Sequence, residues 1–175
     1  MQITSQQIRR IAPKAKNADA LAQCINQWAP TFGITTPLRM AHFLAQCAHE
    51  TMGFVLMTEM ASGRQYEWNA KLGNTHAGDG VKFKGRGLLQ LTGRANYQAY
   101  ANSPFCNGDL MSHPDWLAKL PGAVKSAMWY WMSRGLNALA DQDNVFAITR
   151  KINGGTNGLE QRKIYLTIAK ANLGV

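Results

Sequence analysis

The stretch TPLRMAHFLAQCAHETMGF, residues 36–54, decides the fold. Thr36-Pro37 is a strong helix start. A capping hydroxyl is followed by proline at the first helical position, where an N–H would have no partner anyway. Leu38, Ala41, Leu44, Ala45 and Ala48 then recur on one helical face. Such a helix belongs inside an α-rich protein. It ends, however, on His49-Glu50, and a second carboxylate, Glu59, follows nine residues later. An acid at the end of a buried run asks for a chemical reason.

Working outward, helical patterns dominate both halves of the chain. Thr4 or Ser5 is placed to cap a short helix that stops near Pro13. Asn17 is placed to cap a second, in which Leu21, Cys24, Ile25 and Trp28 repeat at helical spacing. Further helical patterns cover 93–101, 121–134, 143–153 and 158–172. Between the halves, residues 51–87 hold seven of the 16 glycines and read as loops with a small hairpin. The expectation is one mainly α domain over residues 1–175, with two helical lobes around a cleft and an irregular region lining it. A loop-lined cleft on a helical scaffold is a sensible place for chemistry.

Composition narrows the partners. A chain of 175 residues with 46% hydrophobic and 17% charged residues is globular and large enough to bury its own core. The 19 basic and 10 acidic side chains give a formal net charge of +9, which favours an anionic polymer or surface. Cys24, Cys47 and Cys106 are odd in number and lack zinc-ligand spacing, so free thiols made in a reducing compartment are expected. The N-terminus has basic residues but no apolar run. Neither a secretory signal nor a membrane span is expected, and the chain should fold in the cytoplasm as a monomer.

The two carboxylates fit a known chemistry. A helix C-terminus disfavours negative charge, as does burial against Phe43, Phe54 or Met57. A carboxyl that keeps its proton suits a general acid. In an unbroken helix, Glu50 and Glu59 would lie roughly 13 Å apart along the axis, too far to flank one bond. Thr51-Met52-Gly53 supplies a stop, with Gly53 available for a left-handed cap, and the chain can return Glu59 across a gap. Inverting glycosidases separate their two carboxyls by roughly 6.5–9.5 Å to admit a water. The plainer alternative is a helix-end acid and a solvated loop acid.

A second stretch sharpens the reading. FKGRGLLQLTGRANY, residues 83–97, resembles the signature of the family 19 glycoside hydrolases, the chitinase-like enzymes, in their bacteriophage endolysin form. AHFLAQCAHETMGF, residues 41–54, resembles the family's acid-bearing helix. GNTHAGDGVKFKGRG, residues 73–87, resembles the loop before the signature, and ITRKINGGTNGLEQRKIYL, residues 148–166, resembles its late segment. The resemblance implies a lysozyme-like fold, Glu50 as general acid and Glu59 as general base, with Glu67 as the rival base. It implies that Thr92 helps hold the attacking water. It further implies that Gln90, Asn96, Tyr97 and Asn153 face the sugars and that Arg162 organises the carboxylates. His49 reads on its own either as a partner supporting the site or as a packed helix residue. The residues also read sensibly on their own. Gly85 and Gly87 permit close backbone approach, and Gln90 and Thr92 point the same way if that piece is extended.

Other chemistries fare worse. His42 and His49 are two turns apart on one helix and no HExxH is present, so no metal or other cofactor is expected. No GxSxG or phosphate-loop motif occurs. Of Trp129, Tyr130 and Trp131, one must face outward and is placed to border the cleft. A nucleic-acid binder would rest on net charge and on Lys84, Arg86 and Arg94, but no binding module is visible. The expected activity is cleavage of β-1,4 bonds in peptidoglycan by an endolysin released from the host cytoplasm to the cell wall. Chitin is the alternative substrate.

Overall fold

The computed structural model describes residues 1–175 and contains nine α-helices and no extended strand. Helices α1 (Ser5–Ile11), α2 (Ala18–Trp28) and α3 (Pro37–Glu50) form the first group. After the irregular region come α4 (Asp79–Lys82), α5 (Arg94–Ala101), α6 (Gly122–Ser133), α7 (Leu136–Asp141), α8 (Val145–Asn153) and α9 (Leu159–Leu173). None is long and apolar enough to cross a membrane.

Helix α3 is the hub. Thr36 caps it through its hydroxyl, which accepts from the Arg39 N–H, and Pro37 opens it as expected. Every residue from Met40 to Ala48 is buried, so the helix is enclosed on all sides, not on one face only. Helix α9 lies along it, and α7 packs against it from another side. Burying side chains such as Phe43 and Leu44 contributes about 1.5–3 kcal/mol each. The largest apolar cluster joins α1–α3 to α6–α9 and includes Phe43, Trp131 and Ile25. A second cluster of Phe83, Leu91, Tyr97, Tyr100, Leu110 and Leu117 makes a smaller lobe around α5. The two-lobed expectation therefore corresponds to two cores.

Local details depart from the sequence reading. Thr4 caps α1 in a full capping box with Gln7. Asn17 stands before α2 in the left-handed region at φ 52° and its side chain caps nothing. The expected hairpin reduces to isolated bridges, Thr58 to Arg86 and Arg86 to Leu91. Helix α7, six residues long, was not expected. The irregular region also holds short 3-10 turns at Arg64–Tyr66 and Ala70–Leu72.

One buried clamp holds this region to the smaller lobe. Asp79 is 1% exposed and receives both Nε and Nη2 of Arg94, at 2.8 and 2.6 Å. The backbone N–H groups of Thr75 and His76 donate to the same carboxylate. These donors, Arg94 first, hold the Asp79 carboxyl down to about 2.

Candidate active site

The end of α3 is where the fold delivers its acid. Thr51 stops the helix: its hydroxyl donates to the Cys47 carbonyl and accepts from the Phe54 N–H. The Met52 N–H then bonds to the His49 carbonyl and the Gly53 N–H to the Ala48 carbonyl, which closes a Schellman cap. The sequence reading gave the left-handed cap to Gly53. The first left-handed residue is Met52, at φ 53°, with Gly53 following at φ 79°. A non-glycine residue there stores about 1–2 kcal/mol of strain. The reversal points the chain back so that Glu59 returns beside the end of the helix.

Pairing with the signature segment fixes that return. The Glu59 N–H donates to the Gly85 carbonyl and the Gly87 N–H to the Met57 carbonyl, at 3.0 and 2.8 Å. Glu59 then accepts from the Gly85 N–H on Oε1 and from the Tyr66 hydroxyl on Oε2, both at 3.0 Å. Burial, aided by Glu59, pushes the Tyr66 phenol up, so it remains a donor at neutral pH.

Glu50 and Glu59 line one cleft of about 510 Å³, together with Thr92, Gln90, Asn153, Tyr66 and apolar residues including Met52, Met60 and Ile152. Their settings differ. Glu50 Oε1 is paired with Arg162 Nη2 at 2.5 Å, while Oε2 has no hydrogen bond within the protein. Arg162 is 1% exposed, and its Nη1 donates to Gln46 Oε1, also at 2.5 Å. Gln46 Nε2 in turn donates to the Thr149 hydroxyl. A buried chain of polar groups from α8 through α3 to α9 thus ends on one oxygen of the acid. The other oxygen is left for a ligand.

The remaining expected residues divide. Gln90 and Thr92 do face one cleft wall, but through a turn, because Gln90 sits at φ 50° between the bridges of Arg86 and Leu91. The close approach of this wall requires Gly85. A Cβ there would meet Gln90 Oε1 at 3.0 Å and Thr92 Oγ1 at 3.2 Å. Asn153 lines the cleft and fixes its own loop by donating to the Asn157 carbonyl. Asn96 lies in an adjoining recess of about 230 Å³, beside Tyr130. Tyr130 is therefore the aromatic of the 129–131 run that borders the site, while Trp131 is fully buried.

Four residues named from the sequence stand off the cleft. Tyr97, read as facing the sugars, is fully buried and donates its hydroxyl to the Lys84 carbonyl. Arg162, too, is out of reach of a ligand and acts on Glu50 from behind. His49 does not line the cleft. Its ring packs against Gly158, where any side chain would overlap it. Burial first, and Arg162 next, lower its basicity. Glu67, the rival base, spends both oxygens on the Gly78 and Gly80 N–H groups and does not line the cleft. The cations of the nucleic-acid alternative are likewise engaged: Arg86 with Asp115, Arg94 with Asp79, and Lys84 with the carbonyls of Glu59 and Ala61. Sequence reasoning missed Tyr66 and Gln46. Gln46 had a signal, since it lies four residues before Glu50 on the same face.

Comparison with known proteins agrees with this architecture. The family model for class I chitinases matches residues 20–148. A glycosyl hydrolase family 19 domain-containing protein of Haemophilus influenzae is 30% identical, over 94% of each chain. An endochitinase of Arabidopsis thaliana is 35% identical over 70% of this chain, which spans only 41% of that protein. Chitinase C from Streptomyces griseus HUT6037 superposes with a TM-score of 0.80 at 23% identity, covering 99% of this chain and 93% of that one. With its mainly helical fold and its match over most of the domain, the chain belongs to the family 19 glycoside hydrolases.

Proposed function

We propose that this hydrolase is an endolysin-type muramidase that cleaves β-1,4 bonds of peptidoglycan with inversion. The observation that carries the mechanism is the pair of carboxylates on one cleft, one with a free oxygen backed by a cation and one fixed by two donors. Glu50 Oε2 protonates the leaving oxygen. The Arg162 guanidinium stands where Glu50 gains negative charge as the proton leaves, so it stabilises the product of that transfer. Glu59, oriented by Tyr66 and Gly85, takes a proton from a water that Thr92 helps to hold. That water attacks the opposite face of the sugar.

The net charge of +9 supports a wall substrate, because peptidoglycan envelopes carry anionic groups and chitin does not. A chitinase is the second reading, favoured by the endochitinase relatives. Purified Gram-negative peptidoglycan and chitin oligosaccharides, digested in parallel and reduced with borohydride, separate the two. Reduced muramic acid ends are expected. Reduced glucosamine ends from peptidoglycan would indicate a glucosaminidase, and an intact wall beside rapid chitin cleavage a chitinase. Proton NMR of a fresh digest should show the α-anomer first. Initial β-anomer would overturn the inverting scheme.

A further inference from the structure

Away from the cleft, two neighbouring cavities of about 300 and 350 Å³ share Lys119 and Leu120 and none of the cleft residues. Their linings are mostly apolar, with Phe105 and Trp116 in one and Phe54 and Met57 in the other. No Asp or Glu lines either cavity. The nearby Asp115 is committed to Arg86. Lys16 and Lys119 contribute cations, and Lys125 on α6 lines the first cavity.

Lys125 is the unusual element. It is only 7% exposed, yet its ammonium finds neither a carboxylate nor a hydrogen-bond acceptor. It rests 4.3 Å from the centroid of the Trp28 ring, a cation–π contact that leaves its N–H groups unmatched. The Trp28 indole N–H is also buried without a partner. The Lys125 ammonium is not sealed from solvent as the Trp28 N–H is, so it can receive an anion at the cavity that Lys125 lines. An apolar recess with one convergent charge is the usual form of a small-molecule site. Trp116 and Leu120 remain 41% and 38% exposed at its edge.

We propose that this double cavity binds a single-chain alkyl carboxylate. The carboxylate meets Lys125, and the chain runs past Leu120 toward Phe54 and Met57. Charge complementarity selects the anion, and the two apolar cavities select the chain over a small acid. This site is independent of the cleft and of the wall-hydrolase reading.

The test uses dodecanoate below its micellar concentration at pH 8, titrated into the full chain by calorimetry and tryptophan fluorescence. One saturable site is expected. Dodecanol and butyrate should each bind at least about ten-fold more weakly, the scale of a hydrogen bond to a charged group. Lys125→Met should remove the preference for the acid over the alcohol. Leu120→Asp, at the exposed edge, should abolish dodecanoate binding while leaving melting and glycan hydrolysis unchanged. Equal binding of dodecanol, unsaturable uptake, full binding by Leu120→Asp, or binding only to anionic vesicles would each overturn the proposal. Should Lys125→Met not fold, the alcohol comparison and Leu120→Asp decide it.

Discussion

Replacing Asp79 by Asn tests whether the irregular region is held by charge. The carboxyl is held down to about 2 in the fold, against 3.8 for the free side chain. Arg94 is the main cause, with burial opposing it. A depressed folded value contributes stability that is fully present above the unfolded value and is lost as pH falls through the folded one. The difference, nearly two pH units, corresponds to about 2 kcal/mol at pH 7. At pH 3, between the two values, about 1 kcal/mol remains. Below pH 2 almost none does. Urea unfolding of wild type and Asp79→Asn at pH 7 and pH 3 reads this directly. The variant should lose at least about 2 kcal/mol at pH 7, and the gap should halve at pH 3. A variant as stable as wild type at pH 7, or a gap that ignores pH, would refute the argument that this ion pair fastens residues 75–79 to α5.

The other expectations concern the cleft and its supports. Glu50→Gln should fold normally and lose about 10²–10⁴-fold in turnover, measured on a soluble oligosaccharide. Glu59→Gln should be comparably impaired, whereas Glu67→Gln should keep most activity and instead melt earlier, since Glu67 binds backbone and does not line the cleft. Gln46→Leu should cost about 1–3 kcal/mol by stranding a buried guanidinium, and should lower kcat more than it raises KM. Met52→Gly should raise stability by up to about 1 kcal/mol, because relief of the left-handed strain exceeds glycine's entropic cost. Denaturant midpoints give the result.

The fold was legible wherever one helix carried its own signal. Thr36-Pro37 and the apolar run after it located α3, because capping chemistry and periodicity are local. Helix α7 was invisible because the six residues between Gly135 and Gln142 are too few to show a period. It persists because Leu136 and Ala140 are fully buried against neighbours, a tertiary effect that no local pattern records. The hairpin failed for the opposite reason. Gly87 and Gln90, at positive φ, turn the chain, so only the isolated bridges of Arg86 with Thr58 and Leu91 form.

At the site, the sequence located the two acids but not their relation to each other. That Glu50 ends a buried helix was readable; that a guanidinium 112 positions away presses against it was not. The omission matters physically. A fixed cation holds one oxygen of Glu50 and leaves the other unpaired in a residue that lines the cleft. Tyr97 was misread through the same gap. A signature aromatic faces a ligand or faces the core, and only the packing of Phe83, at a ring-centroid distance of 5.2 Å, shows that here it faces the core. The signature segment therefore does two jobs. Its Gly85, Gln90 and Thr92 shape the cleft wall, while its Arg86, Arg94 and Tyr97 anchor that wall from behind through Asp115, Asp79 and the Lys84 carbonyl. Loss of an anchor should displace the Glu59 side of the cleft without touching any residue that meets the sugar.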